Sequence, residues 1–139
     1  MYFRTGGRDE RERYQYSYRT VQRYLSLKCQ KKELKDFFIK NNFRKIAVYG
    51  NGELGKCIIN DVINSEIEIS YIIDQAFSAY PKGYKEIPVI GVEDIQKQGK
   101  VDVIVVTVLF ELNDIIDLLL EKGIELENII NISDVVYSL

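Results

Sequence analysis

Lys45-Ile46-Ala47-Val48-Tyr49-Gly50-Asn51-Gly52-Glu53-Leu54-Gly55-Lys56-Cys57-Ile58-Ile59 runs without interruption from an apolar segment through a glycine turn into an apolar stripe at helical spacing. Lys45 to Tyr49 is short, apolar and flanked by Asn42 and Gly50, the pattern of a buried strand. Glu53 to Ile63 places Leu54, Ile58, Ile59, Val62 and Ile63 on one side of a helix. Between them Gly50, Gly52 and Gly55 have the spacing G-x-G-x-x-G, for which the reasons are steric. The first glycine permits the tight turn, the second lets a phosphate approach the backbone, and the third lets the helix pack closely on the strand. The free N–H groups and positive dipole end of the following helix then face an anion.

Glu68 to Ile73 reads as a second strand closing at Asp74, 19 residues beyond Gly55, where a carboxylate can accept hydrogen bonds from ribose hydroxyls. The candidate binding set is therefore Gly50, Asn51, Gly52, Glu53, Leu54, Gly55 and Asp74. Glu53 is the awkward member, because a carboxylate in the turn repels an anion unless it points outward. The competing reading is structural: the glycines only make a tight turn, and Asp74 only caps a strand end.

Farther along, Ala76 to Lys85 is a loop with Pro81 and Gly83, in which Tyr80 to Lys85 reads first as a plain surface turn and, being aromatic and basic, as a cover for a base or a sugar in the alternative. Ile87 to Gly91 predicts a short strand that Pro88 assigns to an edge or a strand start, and Glu93 to Gln98 a short helix. Val101 to Val108 is continuously apolar, as a parallel strand covered on both faces is, and should lie centrally in the sheet. Its end, Thr107 to Glu111, falls on the carboxyl edge where open α/β sheets bind ligands, so Thr107 joins the candidate set and Glu111 follows it. Leu112 to Lys122 predicts a helix with Ile115, Ile116, Leu119 and Leu120 inward, stopped by Gly123. Asn128 to Ile132 predicts a last strand, and Ser133 the cap of a terminal helix. Asp114, Asp117 and Glu121, at helical spacing, form a solvated face.

Upstream of the first strand, residues 1–13 have the polar, glycine-containing look of a tail, and no fold is expected for them. Tyr14, Tyr18, Val21 and Leu25 then recur at helical steps, with Leu34, Phe37 and Phe38 after a lysine-rich stretch, predicting one long helix or two short ones ending near Asn41-Asn42. Tyr24 and Lys28 match the Tyr-x-x-x-Lys spacing by which short-chain dehydrogenases protonate a carbonyl but lie upstream of the glycine turn, where that family has the pair far downstream, and read as helix surface. The chain divides into a basic, tyrosine-rich tail and helical arm (1–32) and an α/β body (33–139) whose alternating strands and helices imply a mostly parallel sheet of about five strands in three layers.

Charge follows that division. Residues 1–45 carry 13 Lys+Arg against 5 Asp+Glu, leaving 6 against 16 for residues 46–139 out of totals of 19 and 21, so the first segment is +8 and the remainder −10. Because acidic residues interrupt the arm, docking on an acidic body, its own or a neighbour's, is expected in preference to nucleic acid, with a homo-oligomer through residues 14–42 as the corresponding partner. With no histidine in the chain, Ser-His-Asp and Cys-His catalysis are excluded, along with imidazole-bearing zinc centres. Cys29 and Cys57 have neither CxxC spacing nor further partners, so reduced thiols are expected. The N-terminus has no signal-like apolar region and Val101 to Phe110 is too short to span a bilayer, which points to a cytoplasmic protein.

Taken in order, Lys45 to Lys56, Tyr71 to Asp74, Ile87 to Gly91, Val103 to Thr107 and Ile130 to Asp134 resemble a small Rossmann-like domain common in bacterial surface-polysaccharide pathways. Its relatives are the nucleotide-binding portion of nucleotide-sugar dehydratases, the N-terminal domain of sugar acyltransferases, and modules appended to glycosyltransferases or methyltransferases. The resemblance covers about residues 33–139 and implies that Gly50, Gly52, Gly55 and Asp74 contact NAD(P) or a nucleotide-sugar. The chain departs from full dehydratases in having no later Tyr-x-x-x-Lys and no substrate domain. Three readings of function stand: a nucleotide-binding module, a stand-alone NAD(P)-dependent nucleotide-sugar oxidoreductase or epimerase, and an oligomerisation module that binds nothing.

Overall fold

The computed structural model describes residues 9–139; residues 1–8, and with them most of the expected tail, lie outside the described residues. Two helices open the chain, α1 (Glu10–Cys29) and α2 (Lys35–Lys40), followed by β1 (Lys45–Tyr49), α3 (Glu53–Val62), β2 (Glu68–Ile73), β3 (Val89–Ile90), β4 (Val103–Val106), α4 (Leu112–Glu121), β5 (Ile129–Asn131) and α5 (Ile132–Tyr137). The strands form one sheet in the order β3-β2-β1-β4-β5, and every neighbouring pair is parallel. This is a Rossmann-like three-layer α/β fold with an N-terminal helix, as the alternation of strand and helix patterns predicts. The two-residue β3, beginning just after Pro88, is an edge strand. β4 is interior and fully buried, although it is shorter than the apolar run that announces it.

Side-chain alternation divides the core between the two faces of the sheet. Ile46, Val48, Val103 and Val105 pack with Ile58, Ile59 and Val62 of α3 and with Val135 and Val136 of α5. Ala47, Tyr49, Ile104 and Val106 pack with Leu112, Ile115, Ile116 and Leu119 of α4. One irregularity interrupts the alternation: the β1–β2 register moves from Ile46↔Ile69 to Ala47↔Tyr71, leaving Ser70 as an extra residue. The bulge changes phase, so Ile69 faces the α3 side while Tyr71 faces the α4 side.

The helix ends follow local chemistry, with two departures from expectation. Helix α1 begins at Glu10, inside the stretch read as a tail, because the Asp9 carboxylate accepts from the Glu12 N–H at 2.8 Å and caps it. Helix α5 is capped by Asn131, whose Oδ1 accepts from the Asp134 N–H at 3.0 Å; Ser133, the expected cap, lies inside the helix and is buried. Gly123, with φ of +87°, ends α4, and the Ile124 N–H reaches back to the Leu119 carbonyl. Leu120, expected inward, is exposed.

The largest difference from the sequence reading concerns α1. The helix forms, yet the stripe Tyr14, Tyr18, Val21 and Leu25 that predicts it faces outward, and Thr20, Tyr24 and Leu27 are buried instead. Tyr24 and Leu27 share a core with α2 and α3. The Tyr24 hydroxyl donates to Asp61 Oδ2 at 3.0 Å, Lys28 Nζ lies 2.9 Å from the same oxygen, and Arg23 donates to the Val136 and Leu139 carbonyls. Tyr24 and Lys28, the Tyr-x-x-x-Lys pair of the sequence, thus converge on an α3 aspartate and anchor the arm to the body. Burial, reinforced by the neighbouring Asp61 charge, holds the Tyr24 hydroxyl above its ordinary pKa.

At the amino edge of the sheet Asp102 joins the starts of β1 and β4: its Oδ2 accepts from the Arg44 and Lys45 N–H groups at 2.8 and 2.9 Å. Those two donors hold its carboxyl below the usual carboxylate range. A carboxylate depressed in the folded chain contributes stability that is present above the unfolded value of about 3.9 and is lost as pH falls through the lower folded value. Asp102→Asn should therefore cost about 1 kcal/mol at pH 7, a figure already reduced for solvent screening at this exposed site. In urea melts the gap should close in strong acid; a gap that widens there contradicts the account.

Candidate functional site

In an open parallel sheet the crevice forms at the carboxyl edge where successive crossovers leave in opposite directions. Here that point lies between β1 and β4, adjacent in the sheet, with α3 packed on one face and α4 on the other. Two segments meet there: the glycine turn after β1, and Thr107 to Glu111 after β4.

Each glycine has a distinct steric role. Gly50 adopts φ of +110°, and a Cβ on it would come within 2.5 Å of Thr107 Oγ1 and 2.7 Å of Val108 Cγ2. Gly55 sits where a Cβ would lie 2.0 Å from the Gly50 carbonyl oxygen, so the start of α3 touches the backbone of the turn itself. Gly52 meets nothing within 4 Å. It is the N-cap of α3 and supplies no side-chain cap, so the first-turn N–H groups open onto the free space in front of it. Two glycines are thus required by the fold, and the third leaves room.

The remaining candidates are distributed around this turn. Asp74 caps it: Oδ2 accepts from the Asn51 N–H and Oδ1 from the Ala76 N–H, both at 2.7 Å. The strand-end reading of Asp74 therefore describes its present bonds, and each carboxylate oxygen retains a second lone pair. Thr107 is buried, and its Oγ1 donates to the Tyr49 carbonyl at 2.9 Å, which makes it part of the crevice floor. Glu53 and Glu111 are exposed at the starts of α3 and α4, and Leu54 packs partly buried against the α3-side core. Asn51 is 4% exposed, and neither its amide nitrogen nor its amide oxygen has a hydrogen-bond partner. A buried amide left unpaired costs roughly 1–3 kcal/mol per group, so the floor of the turn holds unsatisfied polar capacity.

Two further groups belong to the site. Lys56 is one helical turn from Gly52, and its Nζ lies 5.5 Å from the Tyr80 ring centroid and 5.6 Å from that of Tyr84. The two rings meet edge to face at 6.3 Å. Contact with the Tyr80 hydroxyl keeps the Lys56 ammonium above the usual lysine range. The aromatic loop after β2 is thereby folded against α3, beside the open space at Gly52. The i, i+4 relation of Gly52 and Lys56 is the sequence signal that points to this lysine. Tyr49 closes the base of the crevice, where burial, assisted by the charges of Asp74 and Glu111, raises its hydroxyl pKa. Asp114 and Asp117 lie on α4, and among the described residues no cluster of potential metal ligands forms.

This geometry separates the glycines experimentally. Gly52→Ala, at φ of −77° with open space around it, should leave the melting temperature within a few degrees of wild type. Gly55→Ala drives a methyl into a backbone carbonyl and should destabilise by about 3 kcal/mol or more. Equal effects of the two substitutions in thermal melts would contradict the assignment. Comparison with family models, with curated proteins and with solved structures yields no match to this chain.

Proposed function

We propose that this protein is a nucleotide-binding module, for NAD(P) or a nucleotide-sugar, serving in polysaccharide or nucleotide-sugar biosynthesis. The observation that carries the reading is the open, uncapped start of α3 at Gly52, the one glycine of the turn that the fold itself does not require. Phosphate oxygens fit there because backbone N–H donors and the dipole of α3 stabilise negative charge without any side chain. Lys56, at the rim, supplies a countercharge; Asn51 offers a donor and an acceptor from the floor; and Asp74, at the end of β2, is placed to accept from a sugar hydroxyl through its remaining lone pairs. When NAD(P) is the occupant, the nicotinamide would supply hydride chemistry, and these residues bind and orient it.

The surrounding groups favour binding over turnover. Thr107 and Tyr49 are buried and Asp74 already accepts two backbone bonds, so none is free to exchange a proton with a substrate. A second reading, a stand-alone oxidoreductase or epimerase, draws on one observation: the Tyr80 hydroxyl beside the Lys56 ammonium is a phenol–lysine pair on the edge of the crevice.

Calorimetric titration with NAD, NADP, UDP-sugars, CoA and S-adenosylmethionine tests the first reading. Binding with a dissociation constant of about 1–100 μM is expected for one of the nucleotides, abolished by Gly52→Val in a variant that keeps the wild-type circular dichroism spectrum. Failure of the whole panel overturns the proposal. Turnover of reduced cofactor with a nucleotide-sugar, lost on Tyr80→Phe while binding persists, would favour the second reading.

A further inference from the structure

The strand order β3-β2-β1-β4-β5 places one half of the crevice over the carboxyl ends of β1, β2 and β3 and the other over those of β4 and β5. In sheets wound this way a dinucleotide lies across both halves, one nucleotide to each. The two halves differ in this chain. On the β1–β3 side the start of α3 is open at Gly52, the Asn51 amide next to it is buried and unpaired, and Asp74, Lys56 and Tyr80 stand around them. On the β4–β5 side the first two turns of α1 already occupy the edge. The Tyr16 hydroxyl donates at 3.3 Å to Oδ1 of Asn131, the last residue of β5. Tyr16 also packs against the cores on both faces of the sheet, so it straddles the strand end. Beside it Phe110, in the loop after β4, is flanked by the Tyr14 ring at 4.7 Å between centroids and by the Arg13 guanidinium at 5.5 Å from its own centroid. Farther along α1 the helix is fixed in place, Tyr24 and Lys28 by Asp61 and Arg23 by the Val136 and Leu139 carbonyls.

Given nucleotide binding at the glycine turn, on which this rests, we propose that α1 closes the β4–β5 half of the crevice, so that the site recognises a single nucleotide unit, a nucleoside diphosphate or its sugar ester, and a dinucleotide gains nothing from its second nucleotide. A second nucleotide would have to displace Tyr16 from Asn131 and part the Tyr14–Phe110–Arg13 stack, and the loss of those contacts offsets what it gains. The open half holds what one unit needs. The N–H groups at the start of α3 and the Lys56 ammonium, one helical turn along, suit two phosphate groups. Asp74 takes the ribose, and the Tyr80–Tyr84 loop offers aromatic surface to the base.

The test is calorimetric titration of the wild-type chain with ADP, UDP, UDP-glucose, NAD and NADP. One of the three single-nucleotide ligands should bind with a dissociation constant of about 1–100 μM, and neither dinucleotide should bind as much as about tenfold tighter than it. A dinucleotide at least about tenfold tighter than every single-nucleotide ligand overturns the closed half-site and leaves the nucleotide-binding reading standing. Silence of all five overturns both. Phe110→Ala, in a variant that keeps the wild-type circular dichroism spectrum, should leave the affinity for the bound nucleoside diphosphate within about twofold, because the residue lies outside the open half; a loss of about tenfold there also overturns the assignment.

Discussion

Everything at the carboxyl edge depends on one close approach, that of the Gly55 Cα to the Gly50 carbonyl oxygen. No side chain fits between them, and only that absence allows α3 to start directly on the turn that ends β1. The positive φ of Gly50 reverses the chain, and the Asn51 N–H turned by that reversal is held by Asp74 from the end of β2. Thr107, from β4, closes the arrangement by donating to the Tyr49 carbonyl just before the turn. Three parallel strands are thereby joined at their carboxyl ends by backbone and buried hydrogen bonds, and the crevice has a rigid floor before any ligand arrives.

Beyond that floor, the side chains open to a ligand lie at the rim. Lys56 and the Tyr80–Tyr84 pair are carried by the first turn of α3 and by the loop after β2, where side chains can rearrange without disturbing the core. Such a division suits the proposed ligand, whose phosphate group would meet backbone and whose variable part would meet loop side chains. It also explains why the strongest hydrogen-bonding residues of the motif, Asp74 and Thr107, serve the architecture first.

The arm is joined to the body by the same economy of contacts. Asp61, near the end of α3, receives the Tyr24 hydroxyl, the Lys28 ammonium and, at 3.5 Å, the Leu34 N–H. One acidic side chain of the body therefore orders the basic arm and the link to α2. The charge asymmetry between arm and body is thus resolved in part within the chain.

Fold class and the position of the glycine turn were legible because they rest on local rules: alternation of strand and helix periods, the φ > 0 requirement at Gly50, the continuous apolar run of a strand covered on both sides. Sequence alone determined that a parallel α/β sheet forms and that its first turn is too tight for side chains at two of three glycines. It did not determine what Asp74 and Thr107 bond to, since their partners at Asn51 and Tyr49 are remote in the chain and are brought near only by the strand order. Nor did it determine which side of α1 is buried. Tyr14, Tyr18, Val21 and Leu25 make the better apolar stripe by periodicity, yet Tyr24 and Leu27 enter the core, on the side where Asp61 of α3 accepts from Tyr24 and the Val136 and Leu139 carbonyls accept from Arg23. Periodicity reports that a helix has an apolar face; only the tertiary structure, by supplying polar partners at fixed places, decides which face meets the body.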